Sequence, residues 1–190
     1  MNALEKWFCG SALWRYITRQ ELLPWMLQGA NLGEHVLELG AGPGATTMEL
    51  ARRANRVTSL EYDHAFAARL GAVTESSTVR VIQGDAAALP FAERTFSSVT
   101  AILMLHHLQS SKLQDRAFSE IRRVLRPGGV FLAVEIPDSW INRTVHIKST
   151  FVPVSPESGC VRLTAAGFSS VTVDSRGGGL RFRATRSLES

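Results

Sequence analysis

The stretch Val36-Leu-Glu-Leu-Gly-Ala-Gly-Pro-Gly44 passes from a short apolar run into three glycines, and Ala45–Ala54 continues it at helical spacing. Glycine permits positive φ and lets backbone approach backbone closely, so a glycine cluster between a strand and a helix marks a tight connection. A strand–turn–helix unit is therefore predicted here, with Met48, Leu50 and Ala51 on the buried side of the helix.

The same alternation extends outward. Val57–Leu60, Val79–Gln83, Ser98–Leu103 and Val130–Glu135 read as further strands, separated by helices at His64–Val73 and Ser111–Leu125. In the second helix Ser111 and Gln114 fit a capping box, Leu113, Ala117 and Ile121 share a face, and Pro127-Gly-Gly129 stops the run. Strands that are continuously apolar and alternate with helices predict a mostly parallel sheet covered on both faces. The end differs: Pro156 opens a helix that Gly167 closes, and Phe168–Asp174 and Leu180–Arg186 flank Gly177-Gly-Gly179 as an antiparallel hairpin. The expected fold is α/β, a doubly wound seven-stranded sheet with an antiparallel last strand. With no repeat or linker, residues 1–190 read as a single domain: a helical extension over 1–32 and a core over 33–190.

In the extension, Leu4, Trp7, Phe8 and Ser11 keep helical spacing, as do Leu22, Leu23, Met26 and Leu27, with Pro24 breaking or kinking the run. Trp7, Trp14 and Trp25 lie here, either packed on the sheet or lining a pocket.

At 190 residues, 45% hydrophobic and 20% charged, the chain can bury a core, which excludes a disordered or disulfide-framework protein. No apolar run approaches a membrane-spanning length. The start, Met1-Asn-Ala-Leu-Glu-Lys6, lacks the order of a secretory signal, and Cys9 and Cys160 are far apart, so a cytoplasmic location and no metal site are expected. The net charge of +4 comes from 18 Arg and 3 Lys dispersed along the chain, which argues against a nucleic-acid surface.

In a doubly wound sheet, ligands bind beyond the carboxyl ends of the strands. Gly40, Gly42 and Ala45, with Glu61 standing 21 residues after Gly40, satisfy the loose dinucleotide fingerprint, so a nicotinamide-dependent oxidoreductase is one alternative. Other motifs point elsewhere. Glu38-Leu-Gly-Ala-Gly-Pro-Gly44, Leu60-Glu-Tyr-Asp63, Gly84-Asp-Ala-Ala-Ala-Leu-Pro-Phe91, Met104-Leu-His-His-Leu108 and Leu125-Arg-Pro-Gly-Gly129, in that order, resemble the class I S-adenosylmethionine-dependent methyltransferases of the small-molecule type.

This resemblance implies S-adenosyl-L-methionine as cofactor and a small-molecule acceptor. Gly40, Ala41, Gly42 and Gly44 would pass bare backbone under the cofactor. Glu38 would hold its ammonium, directly or through water, and Glu61 would accept from the ribose hydroxyls. Tyr62 would lie against adenine, Asp85 would accept from its exocyclic amine, and the Ala86 N–H would meet a ring nitrogen. Ile102 and Leu103 would wall the sulfonium side. His106 is the candidate proton acceptor, against a capping or loop-anchoring role for the His106–His107 pair.

The pattern also departs from relatives. Ser97 follows Phe96 where the family usually carries Asp, and the proline motifs of enzymes that methylate adenine or cytosine are missing. The stretch 136–154, where relatives place a larger cap, is short, so pocket walls would come from residues 1–30, from Leu105–Gln109 and from Pro137–Phe151 with Trp140. The expected activity is methyl transfer to O, N or C of an apolar or amphipathic acceptor. The alternatives are a cofactor-binding regulatory or partner module and a phospholipid headgroup N-methyltransferase in peripheral membrane contact.

Overall fold

The structure, a computed structural model, describes residues 3–74 and 78–188; the side chains of Ala3, Leu4 and Lys6 lie outside that description, and with them the stripe position expected for Leu4. Seven strands form one sheet: β1 (His35–Leu39), β2 (Arg56–Glu61), β3 (Val79–Gln83), β4 (Phe96–Ile102), β5 (Leu125–Glu135), β6 (Phe168–Arg176) and β7 (Gly179–Arg186). Their order is β3-β2-β1-β4-β5-β7-β6. The first five pair in parallel, and β7 runs antiparallel to both β5 and β6. This is the doubly wound, seven-stranded arrangement predicted. The chain winds outward from β1 to β3 and then returns to β1's other side, so a crevice opens at the carboxyl tips of β1 and β4.

The central strands bury both faces by alternation. On β5, Phe131 and Ala133 join one apolar cluster with Phe118 and Ile121, while Val130, Leu132 and Val134 join the other. The first face is covered by α6 (Ser111–Val124) and α8 (Pro156–Ala165). The second is covered partly by the N-terminal extension, whose Leu23, Trp25 and Met26 pack against Val36, Val57 and Leu132. Full burial of such side chains contributes about 1.5–3 kcal/mol each, so this part of the extension is a layer of the fold.

The extension runs as α1 (Ala3–Cys9), α2 (Ala12–Ile17), a π turn (Thr18–Leu22) and α3 (Leu23–Leu27). Pro24 does not break the path. It lacks an N–H and crowds the preceding turn, and the wider π turn just before it relieves both constraints. Among the described residues no helix is long and apolar enough to cross a membrane.

Several local expectations are corrected. The cap of α6 is Ser110, whose hydroxyl accepts the Leu113 N–H at 3.2 Å, while Gln114 is buried and donates to the carbonyls of Leu105 (3.0 Å) and Val152 (2.7 Å). Loop carbonyls with no strand partner claim that amide, so it cannot serve a capping box. α4 (Ala45–Leu50) is shorter than expected and turns Thr47 and Leu50 inward, leaving Met48 exposed. Pro127-Gly-Gly129 lies inside β5, as an excursion between Leu125, opposite Phe96, and Val130, opposite Ser98. Gly129 fits there because an added Cβ would stand 3.0 Å from the Ser97 carbonyl oxygen.

Ser97, in place of the family's usual Asp, ties the start of β1. Its hydroxyl accepts the His35 N–H at 2.9 Å and reaches the Leu32 and His35 carbonyls at 2.8 and 2.9 Å.

Candidate functional site

The loop after β1 is built on left-handed glycines. Gly40, Gly42 and Gly44 have φ of +72°, +51° and +87°. The N–H groups of Gly40 and Ala41 both donate to the Leu60 carbonyl, which folds the loop across the tip of β2. A Cβ on Gly40 would lie 2.5 Å from Met104 Cγ, and one on Gly44 would lie 2.4 Å from Leu70 Cδ1. At Gly42 a Cβ would meet nothing within 4 Å. Gly40 and Gly44 thus serve packing, while Gly42 leaves its backbone bare to the crevice.

Three carboxyl groups surround this loop and differ in surroundings. Glu61, the last residue of β2, accepts the Gly42 N–H at 2.7 Å and the Asp63 N–H at 2.8 Å. Glu38 is buried beneath the loop, where the Thr47 and Ser59 hydroxyls donate to Oε2 at 2.5 and 2.7 Å. Burial pushes Glu38 up to about 7, although those hydroxyls oppose the rise. Asp85, just past β3, accepts the Ala87 N–H at 2.8 Å and shapes the turn that holds Ala86.

At the tip of β4, Leu103 carries φ +50° and donates its N–H to the Val134 carbonyl. Beyond it Glu135, fully buried at the end of β5, accepts the N–H groups of Met104 (3.0 Å) and Leu105 (2.7 Å) and Nδ1–H of His106 (2.5 Å). One carboxylate thereby sets the path of the whole segment after β4. His107 is adjacent; burial first, then its neighbour His106, pushes it down to about 4. Burial first, then Glu5, pushes the Cys9 thiol up to about 11, which disfavours its thiolate at neutral pH.

These elements enclose one cavity of about 1100 Å³. Of the residues singled out from sequence, Gly40, Ala41, Gly42, Glu61, Tyr62, Asp85, Ala86, Ile102, Leu103 and His106 line it. Glu38 and Gly44 do not reach its surface. The aromatic residues of the extension divide: Trp7, Phe8 and Trp14 face the cavity, whereas Trp25 is in the core. The 136–154 stretch contributes Asn142, Val145 and His146 around α7 (Trp140–Val145), but Trp140 is exposed and stands outside the lining.

Sequence reading missed Met104, Glu135 and His146. Met104 opens the Met104–Leu108 motif, but its closeness to Gly40 has no local signature. Glu135 closes a strand with no neighbouring motif to mark its role, and His146 lies 39 residues after His107.

Residues 37–133, half of the chain, match the family described as the methyltransferase domain. The chain belongs to that family. It is a class I, S-adenosylmethionine-dependent methyltransferase domain, and the glycine loop, the β2 acid and the β4 tip all lie within or at the edge of the matched stretch.

This methyltransferase domain is 36% identical over 107 residues to a demethylmenaquinone methyltransferase of Thermobifida fusca, covering 54% of this chain and 44% of that protein. It is 34% identical over 108 residues to sterol 24-C-methyltransferase ERG6B of Gibberella zeae, covering 54% of this chain and 28% of that protein. The chain thus spans less than half the length of these curated relatives. Among solved structures, a chain from the complex of the Haloferax volcanii Trm112 methyltransferase activator with a methyltransferase superposes with TM-score 0.81 at 16% identity, covering 98% of this chain and 99% of that one.

The methyltransferase's own geometry suits an adenosyl cofactor. Bare Gly42 backbone and the Glu61 carboxylate stand together at the switch point of the sheet, and the cavity beside them is large enough to take a nucleoside with an amino-acid tail.

Proposed function

We propose that the protein transfers the methyl group of S-adenosylmethionine to O, N or C of a small, apolar or amphipathic acceptor. The observation that carries this proposal is that one cavity combines two unlike linings: Glu61, Asp85 and the Gly42 backbone, and the rings of Trp7, Phe8 and Trp14. The polar lining suits a nucleoside and the aromatic one an apolar partner. The relatives named for demethylmenaquinone and sterol methylation support an apolar acceptor.

Bound S-adenosylmethionine supplies an activated methyl carbon, so the chain's work is alignment and exclusion of water. Glu61 has lone pairs beyond those given to Gly42 and Asp63, and these accept from the ribose hydroxyls. Asp85 accepts from the adenine amine, the Ala86 N–H donates to the ring, and Tyr62, exposed at the mouth, lies against it. Glu38, buried beneath the loop and off the cavity surface, acts on the ammonium through water. Ile102 and Leu103 close the sulfonium side. His106, with Nδ1 given to Glu135, acts on the acceptor side through Nε2.

Calorimetric titration with S-adenosylhomocysteine tests the cofactor site, and product detection with quinol, sterol and phospholipid acceptors tests the acceptor. Binding that weakens in both Glu61→Ala and Asp85→Ala, with methylation of a quinol or sterol, is the expected result. Binding unchanged by both substitutions would overturn the site. Methylation of the phospholipid headgroup alone would move the acceptor to the membrane surface.

A further inference from the structure

The structure brings together three of the chain's five histidines, and we propose that His106, His107 and His146 bind a divalent transition-metal ion of the zinc type in the wall of the cavity. One nitrogen from each ring lies within 4.8 Å of the others. His106 and His146 are buried and His107 is half-buried, yet all three reach the cavity.

The orientation of the rings carries the inference. Nδ1 of His146 faces the Asn142 carbonyl oxygen at 2.7 Å, and Nδ1 of His107 faces that of Thr150 at 3.3 Å. A carbonyl oxygen only accepts, so both rings hold their proton on Nδ1 and leave a lone pair on Nε2. His106 does the same toward Glu135, which also accepts two backbone N–H groups. Metal-binding imidazoles are held in this way, with the outer nitrogen donating to a carbonyl or carboxylate while the inner one ligates.

Stacking explains part of the arrangement, since His146 lies on Phe151 with centroids 4.5 Å apart. It does not explain three Nδ1 atoms turned outward to oxygens from β5, α7 and the loop at Thr150.

Glu5 adds a negative charge suited to a dication: its Oε1 is 3.7 Å from His146 Nε2 and accepts from Ser149 Oγ at 2.5 Å. Three imidazoles match zinc and its neighbours better than calcium or magnesium. A set of three protein ligands leaves a fourth position open, the pattern of reactive rather than purely structural zinc. The cavity that all three residues line would supply its occupant, a water molecule or a lone-pair atom of the acceptor. Only this last role rests on the acceptor reading of the cavity; metal binding does not. With a cation on Nε2, His106 serves as a ligand, and lowering of the acceptor's pKa falls to the metal.

The test uses tag-free, chelator-stripped protein titrated with Zn²⁺ against a chromophoric chelator, and with Co²⁺ by visible absorption. One equivalent of zinc is expected, together with the strong visible bands of four-coordinate cobalt. His107→Ala and His146→Ala should each weaken zinc by about 100-fold or more. The half-buried His107 is the position whose replacement least threatens folding, and circular dichroism checks both variants. Zinc that binds without stoichiometry, or equally well to folded His107→Ala, would overturn the site. Titration with S-adenosylhomocysteine on the same samples separates the two proposals: loss of metal binding with the nucleoside still bound sinks only the metal site, and the converse sinks only the cofactor assignment.

Discussion

Glu61 Oε2 accepts the N–H of Gly42 at 2.7 Å, so the acid that ends β2 also anchors the glycine loop that follows β1. One side chain therefore holds the loop and presents carboxylate to the crevice. Glu61→Ala removes both, and S-adenosylhomocysteine affinity should fall by about 10- to 100-fold, the loss of one or two charge-assisted bonds. Glu61→Gln retains an acceptor for Gly42 and should fall between wild type and alanine in calorimetric titration.

Gly40 and Gly42 should separate stability from binding. Gly40→Ala forces a side chain to φ +72° and drives its Cβ against Met104, which should cost about 2–4 kcal/mol in urea unfolding. Gly42→Ala meets no neighbour and should cost only about 1–2 kcal/mol for φ +51°. Its methyl instead enters the crevice, so nucleoside affinity should fall by about tenfold or more.

Glu38 should make stability fall as pH rises. Its folded value, pushed up to about 7 by burial, lies above the ordinary 4.5, so the native state keeps a proton that the unfolded chain has lost. The unfolded state binds fewer protons across that window, and stability declines through it before levelling off above it. The decline is about 3 kcal/mol. Glu38→Gln should flatten this slope in urea unfolding followed from about pH 5 to pH 8.

Glu135→Ala leaves the Met104 and Leu105 N–H groups and His106 Nδ1–H without their acceptor inside the fold. A loss of about 3–5 kcal/mol is expected. Glu135→Gln keeps one acceptor oxygen for the backbone but turns an amide toward His106. Nitrogen NMR of the imidazole should then report the proton moved to Nε2.

Arg186 is the remaining test of packing. Its Nη1 donates to the carbonyls of Arg122 (2.9 Å), Arg123 (3.1 Å) and Leu125 (2.8 Å), where α6 runs directly into β5. A cation there is favoured by carbonyls gathered at the end of α6 and the start of β5. Arg186→Ala should lower stability by about 2–4 kcal/mol, a fall of roughly 5–15 °C in Tm for a chain of this size.

Much of the fold was legible because its determinants are short-range. Apolar runs of strand length, glycines where φ turns positive and a Gly-rich hairpin each act within a few residues, and they predicted the seven strands and the antiparallel end. The cavity-lining residues from Gly40 to Leu103 were named from the family resemblance, and the fold gathers them because residues just past successive parallel strand ends meet at one edge. Local signals failed where a distant partner competed. Gln114 resembled a capping residue but answers loop carbonyls at Leu105 and Val152, and Met48 gave its inward position to Thr47, whose hydroxyl Glu38 requires.

From the chain of residues alone came the order of elements and the switch point, and from its family resemblance the acids expected there. Only the folded molecule decided that Glu38 is buried beneath the loop, that Trp7 and Trp14 face the cavity while Trp25 joins the core, and that His146 meets His106 and His107. Those juxtapositions depend on strand register and on the path of residues 136–154, which no local periodicity encodes. They are settled when distant segments compete to bury the same apolar surface and to satisfy the same polar groups.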